Sequence, residues 1–154
     1  GLNACAGRLD ELGRRVAPTV LTPHAGELGR LLDRESSEID AHRLASAKEA
    51  AQAARAILVL KGDDTIVTDG ERVAVNALSA PALATAGSGD VLSGITAAML
   101  ARGLEPFAAV CAAVVAHARA GRHAARRVGA AESVIASDVI AAIPSALRPD
   151  GPVE

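Results

Sequence analysis

Apolar residues recur at helical spacing from Leu2 to Arg15, where a basic pair closes the segment and Pro18 punctuates it, so a first helix is expected there. Val20-Leu21-Thr22 reads as a short strand. Thr22, held extended by the proline after it, can cap a helix with Pro23 in its first position and Leu28, Leu31 and Leu32 on one face. Ser36-Ser37-Glu38 marks another helix start, and the run to Arg55 is rich in good helix formers. Ile57-Leu58-Val59-Leu60 is a continuous aliphatic run of strand length, the pattern of a strand buried on both faces. Thr65-Ile66-Val67-Thr68 follows, then the turn Asp69-Gly70 and a return strand at Val73-Ala74-Val75.

The second half is helical. Gly87-Ser88-Gly89 opens a helix with Val91, Leu92, Ile95, Ala98 and Met99 on one side, stopped near Gly103. Pro106 starts a helix to about Val128, apolar nearly all round at Phe107, Val110, Cys111, Val114 and Val115, and therefore expected to be buried. Asp138 to Leu147 is a last helix, interrupted by Pro144, and the polar tail after Arg148 is expected to fray. The order of elements predicts an α/β fold with a layered sheet and helices on both faces. Only about four strands are visible, so the first strands of such a sheet are expected to be missing from this chain. Residue 1 is Gly and the only Met is Met99, so the chain is expected to begin inside a longer reading frame.

Composition narrows the function classes. Half of the 154 residues are hydrophobic, 22% are charged and the formal net charge is -2. No basic surplus exists to neutralise a phosphate backbone, and Phe107 is the only aromatic, so neither a nucleic-acid surface nor a base-stacking platform is expected. Cys5 and Cys111 lie far apart without a metal-type spacing and read as small apolar residues. No apolar run reaches membrane-spanning length and no signal peptide is visible, so no membrane partner and a cytoplasmic location are expected. Residues 1–154 are read as one domain. His117 and His123 read as helix-packing or surface residues, and Arg119, Arg122, Arg126 and Arg127 as a solvated stripe that compensates a helix end.

Three short motifs carry chemistry. Gly87-Ser88-Gly89-Asp90 lets the backbone turn tightly and approach a ligand, and the helix that follows aims free N–H groups and its positive dipole end at it, which suits a phosphate. Asp90 is a poor phosphate ligand by charge but is placed to take a proton from an attacking hydroxyl. Leu60-Lys61-Gly62-Asp63-Asp64-Thr65 leaves the end of a buried strand, where ligands of open α/β sheets sit. Thr22-Pro23-His24-Ala25-Gly26-Glu27 leaves another strand end and sets His24 and Glu27 one helical turn apart. Taken singly, each also reads as ordinary structure: a helix start with a stabilising acid, a solvated hairpin loop, a capped helix start with a surface histidine.

Taken in order, Thr-Pro-His-x-Gly-Glu, Lys-Gly-x-x-Thr and Asn-x-x-x-x-Pro-x-Leu-Ala-Thr-x-Gly-Ser-Gly-Asp-Val-Leu-x-Gly resemble the ADP- or ATP-dependent NAD(P)H-hydrate dehydratases, from Thr22 to Gly94. Weaker similarity continues to Val115-Ala116-His117, and Gly1-Leu2-Asn3 is similar to the end of that family's Asp-Ala-Asp-x-Leu-Asn segment. Ala86 stands where many members have Gly, while Gly87 and Gly89 are kept.

The resemblance implies a ribokinase-like fold and a hydro-lyase that restores NADH or NADPH from its hydrate, using ADP or ATP as phosphoryl donor with Mg2+. It implies that His24 and Asp90 contact the substrate, with Asp90 as the catalytic base. It implies that Lys61, Gly62, Asp63, Asp64 and Thr65, with Gly87, Ser88 and Gly89, meet the adenine nucleotide, and that Glu27 reaches magnesium through water. A homo-oligomer is implied as well. The neighbouring alternatives are a ribokinase-like kinase of a vitamin precursor, of the hydroxyethylthiazole or hydroxymethylpyrimidine type, and a non-catalytic nucleotide-binding fragment. His24, in the place where such kinases carry Asn, points to the dehydratase branch.

Overall fold

The computed structural model describes residues 1–148, and the tail expected to fray lies outside the described residues. Two compact units form, one from Gly1–Ala77 with Glu105–Val110, the other from Leu78–Leu104 with the chain from Cys111 onward.

The first unit is built on a four-stranded sheet in the order β1 (Val20–Leu21), β2 (Ile57–Leu60), β3 (Thr65–Thr68), β4 (Val73–Asn76). β1 runs parallel to β2 with Val20 opposite Ile57; β3 and β4 turn back antiparallel, pairing Val59 with Val67 and Ile66 with Val75. All four β2 residues are buried, as its unbroken aliphatic run predicts, whereas edge strand β4 leaves Val73 and Val75 exposed. The helices of this unit are α1 (Leu9–Leu12), α2 (Ala25–Leu32), α3 (Ser36–Ala41) and α4 (Arg43–Ala54). Leu58 and Leu60 share a buried cluster with Leu28 and Leu31 of α2, Ile39 of α3 and Ala47, Ala50, Ala51 and Ala54 of α4. That row of methyl groups lets α4 lie close on β2 and β3.

The second unit holds a 3-10 turn at Pro81–Leu83, then α5 (Ser88–Ala101), the part of α6 (Pro106–Val128) after Val110, a 3-10 turn at Ala131–Ser133, and α7 (Ala136–Ala146). α5 packs on α7, and the two 3-10 turns touch. Val91, Leu92 and Ile95 of α5, Ala113, Val114, Ala120 and Ala124 of α6, and Val139 and Ala142 of α7 are buried. His117 is also buried and His123 half-buried, as packing residues should be. Arg127 departs from a purely solvated stripe by donating to the Asp138 backbone carbonyl at 3.2 Å and meeting its carboxylate at 3.4 Å.

Five local expectations are corrected. The helix over Leu2–Arg15 is replaced by a 3-10 turn, Leu2–Cys5, and the single turn α1, because Ala6 is extended and Gly7 is left-handed at φ 70°. α2 starts two residues later than expected, with His24 rather than Thr22 as its cap. The run from Ser36 to Arg55 divides at His42 into α3 and α4. Ala98 and Val115 lie on exposed helix faces. α7 begins before Asp138, which serves as its third residue and accepts the Ile135 N–H at 3.1 Å, and it runs through Pro144 to Ala146. The carbonyl that Pro144 leaves without a donor is that of Ile140, an exposed position near the helix end, where water can satisfy it.

Candidate active site

In the first unit, two parallel strands end side by side. The Lys61 N–H donates to the Pro23 carbonyl at 2.9 Å, extending the β1–β2 pairing one step beyond the strands. Pro23 is therefore strand-like and cannot begin the helix, which is why the cap falls on His24. His24 and Glu27 then cap α2 reciprocally: Glu27 N–H donates to His24 Nδ1 at 3.3 Å, and His24 N–H donates to Glu27 Oε2 at 2.9 Å. An accepting Nδ1 is unprotonated, which puts the ring proton on Nε2, 3.5 Å from the same Oε2. Lys61 Nζ also lies 3.5 Å from Glu27 Oε2. The structure thus brings His24, Glu27 and Lys61 together at the ends of β1 and β2. His24 is the most exposed of the three side chains, at 55%, against 25% and 29% for Glu27 and Lys61.

Partial burial pushes the Glu27 carboxyl up, but the His24 N–H and the Lys61 ammonium outweigh it and hold the group below the ordinary carboxylate range. A folded-state pKa below the unfolded value contributes stability above the unfolded pKa and loses it as pH falls through the folded one. Glu27→Gln keeps an oxygen for the His24 N–H but removes the charge, so it is expected to cost about 0.3–1 kcal/mol at neutral pH and to flatten the acid limb of stability. Thermal melts between neutral pH and the acid range check this; an acid limb as steep as the wild type's contradicts it.

The loop from Lys61 to Thr65 exposes Gly62, Asp63 and Asp64, while Thr65 donates from Oγ1 to the Gly62 carbonyl at 3.4 Å. Its main support is Arg43, which no motif marks; its Nη2 donates to the carbonyls of Lys61 at 3.3 Å and Asp64 at 3.1 Å.

In the second unit, Gly87 caps α5 in a left-handed conformation, φ 82° and ψ -8°, that glycine alone adopts at little cost. A Cβ here would also sit 3.3 Å from the Ala136 methyl group. Ser88 is buried and donates from Oγ to the Leu83 carbonyl at 2.6 Å, so its hydroxyl ties the loop down. The Asp90 and Val91 N–H groups both turn to the Gly87 carbonyl, and Ser88 N–H to Thr85. Among the described residues, nothing accepts the Gly89 N–H and no side chain engages the exposed Asp90 carboxylate.

The two helix starts therefore differ in kind. α2 consumes its own first donors in the His24–Glu27 box, whereas α5 has no side-chain cap and keeps an amide and its dipole end open to an anion. A phosphate group fits α5. Among the described residues no three His, Cys, Asp or Glu side chains gather to hold a metal ion.

A sheet whose parallel strand ends carry a Lys-Gly loop and a His–Glu helix cap, in a chain with an uncapped glycine helix start that holds an acid in its first turn, is that of a ribokinase-like α/β protein. Residues 1–145 match the family model described as NAD(P)H-hydrate dehydratase, and the chain belongs to that family. It is 42% identical over 149 residues to the bifunctional NAD(P)H-hydrate repair enzyme Nnr of Salinibacter ruber, an alignment covering 94% of this chain and 26% of that protein. It is 38% identical over 131 residues to the ADP-dependent (S)-NAD(P)H-hydrate dehydratase of Cenarchaeum symbiosum, covering 84% of this chain and 45% of that one. The crystal structure of the ADP/ATP-dependent NAD(P)H-hydrate dehydratase of Bacillus subtilis, co-crystallised with ATP/Mg2+, superposes with a TM-score of 0.77 at 31% identity, covering 86% of this chain and 48% of that one. The chain thus spans about a quarter of the length of the bifunctional relative and about half of the other two. No helix among the described residues is long and apolar enough to cross a membrane.

Proposed function

We propose that the protein containing this chain dehydrates NAD(P)H hydrate back to NADH or NADPH at the expense of ADP or ATP. The observation that carries this reading is the start of α5, where an open Gly89 N–H and an unengaged Asp90 carboxylate stand side by side on an uncapped helix end. A phosphate site with a base beside it is what phosphorylation of a hydroxyl requires. Family membership supports the same substrate class.

In this reading His24 and Asp90 contact the hydrated nicotinamide nucleotide. Lys61, Gly62, Asp63, Asp64 and Thr65 form the loop around the adenine nucleotide, and Gly87, Ser88 and Gly89 approach its phosphates. Asp90 accepts the proton of the ring hydroxyl as that oxygen takes the terminal phosphoryl group. The Gly89 amide and the α5 dipole stabilise the charge that develops. Hydroxide is a poor leaving group and phosphate a good one. The ring-nitrogen lone pair then expels phosphate, and loss of a proton from the adjacent ring carbon restores the double bond. Magnesium, when bound on the phosphates, supplies charge neutralisation, with Glu27 holding one of its waters.

Residues 1–154 act as one part of a ribokinase-like domain, in a cytoplasmic enzyme that assembles from identical subunits. The full-length protein, given NADH hydrate with ADP and ATP in separate reactions, is expected to return the absorbance of NADH with consumption of nucleotide. Accumulation of a phosphorylated product without NADH would replace this reading with an ordinary kinase.

A further inference from the structure

Arg43, the first residue of α4, reaches under the loop that follows β2. Its Nη2 donates to three carbonyls, those of Leu60 at 3.5 Å, Lys61 at 3.3 Å and Asp64 at 3.1 Å, while Nη1 meets Asp40 Oδ1 at 3.4 Å. The fit is close: a Cβ on Gly62 would lie 2.5 Å from Nη2, so the loop backbone wraps the guanidinium where a side chain would displace it. The carbonyl and the N–H of one trans peptide point in opposite directions. With the Leu60 carbonyl turned to Arg43, the Lys61 N–H faces the other way, and it donates to Pro23. By the same geometry the Lys61 carbonyl on Arg43 turns the Gly62 N–H away from the guanidinium, and among the described residues that N–H meets no acceptor.

We propose that Arg43 is a positioning residue for the adenine nucleotide. By holding the Lys61 and Asp64 carbonyls it fixes the Gly62 N–H as an outward donor, and it keeps the Lys61 backbone in the register that places its ammonium beside Glu27. The proposal rests on the nucleotide-loop reading given above. A guanidinium suits the task because it is permanently charged and carries rigid, forked donors that hold several carbonyls at once, which a lysine ammonium on a flexible stem does not reproduce.

The test compares wild type, Arg43→Lys and Arg43→Ala in the full-length protein by two independent readouts. Amide hydrogen exchange without ligand is expected to quicken at Gly62 to Thr65 in Arg43→Ala while the β2 amides stay protected. Titration with ADP and ATP, and steady-state kinetics, are expected to show nucleotide affinity weakened by about ten- to a hundredfold, the worth of one hydrogen bond to a charged group. The KM for hydrate and kcat at saturating nucleotide should stay near wild type, and Arg43→Lys should fall between the two. If Arg43→Ala loses β2 protection, Arg43→Lys carries the same comparison. A wild type that binds nucleotide alongside a folded variant that binds it equally well overturns the proposal alone. A wild type that binds no adenine nucleotide overturns the functional reading and this proposal with it.

Discussion

Asp90→Asn in the full-length protein is expected to lower kcat for NADH-hydrate conversion by about 10²- to 10⁴-fold, the usual share of a general base. Asn has the same shape and keeps a hydrogen-bonding oxygen, but it cannot take the hydroxyl proton. The substitution should leave the fold standing, because Asp90 is exposed and no described side chain depends on its carboxylate. What the helix loses is one favourable charge in its first turn, worth about 0.3–1 kcal/mol. Nucleotide affinity should hold or tighten, since a negative charge beside a phosphate site is removed. Single-turnover kinetics with ATP, alongside a nucleotide titration, separate the two effects. A variant that turns over hydrate at the wild-type rate removes Asp90 from the mechanism, while one that loses nucleotide binding makes Asp90 part of the phosphate site instead.

What the sequence made legible follows from what is encoded locally. The buried run Ile57–Leu60 lies where the aliphatic pattern puts it, because a strand buried at every position leaves an unbroken signature, and the Asp69-Gly70 turn marks the return from β3 to β4. The start of α5 was equally readable, since glycine at the left-handed turn and an acid in the first turn are contiguous residues. The cap of α2 was not. Whether Thr22 or His24 begins that helix depends on the Pro23 carbonyl receiving the Lys61 N–H, which is decided by the register of two strands far apart in sequence. Arg43 escaped notice for the same reason: its partners lie 18 residues away at Lys61, and one arginine in a polar helix has no periodicity to mark it. The motifs named the chemistry, and long-range contacts decide how their atoms are held.

Gly121→Val is the sharpest test of such a contact. Gly121 lies on α6 in the second unit, where even a Cβ would come within 2.7 Å of Leu83 Cγ and 2.8 Å of its Cδ2. Leu83 belongs to the phosphate-type loop through the 2.6 Å bond that its carbonyl receives from Ser88. Pushing Leu83 aside therefore presses on the residue that precedes Gly89 and Asp90. The overpacked position should destabilise the protein by about 1–3 kcal/mol. Displacement of the loop should lower kcat/KM further, by about tenfold to 10²-fold, as a misplacement on the order of 1 Å does. The paired variant Leu83→Ala in the Gly121→Val background creates the space that valine needs. It should recover a large part of both losses, because residues in contact do not act additively. Melting curves and steady-state kinetics on the two singles and the double give the coupling directly. If the double variant is simply the sum of the singles, the contact between Gly121 and Leu83 does not control the loop, and the start of α5 is held in place by Ser88 and Gly87 alone.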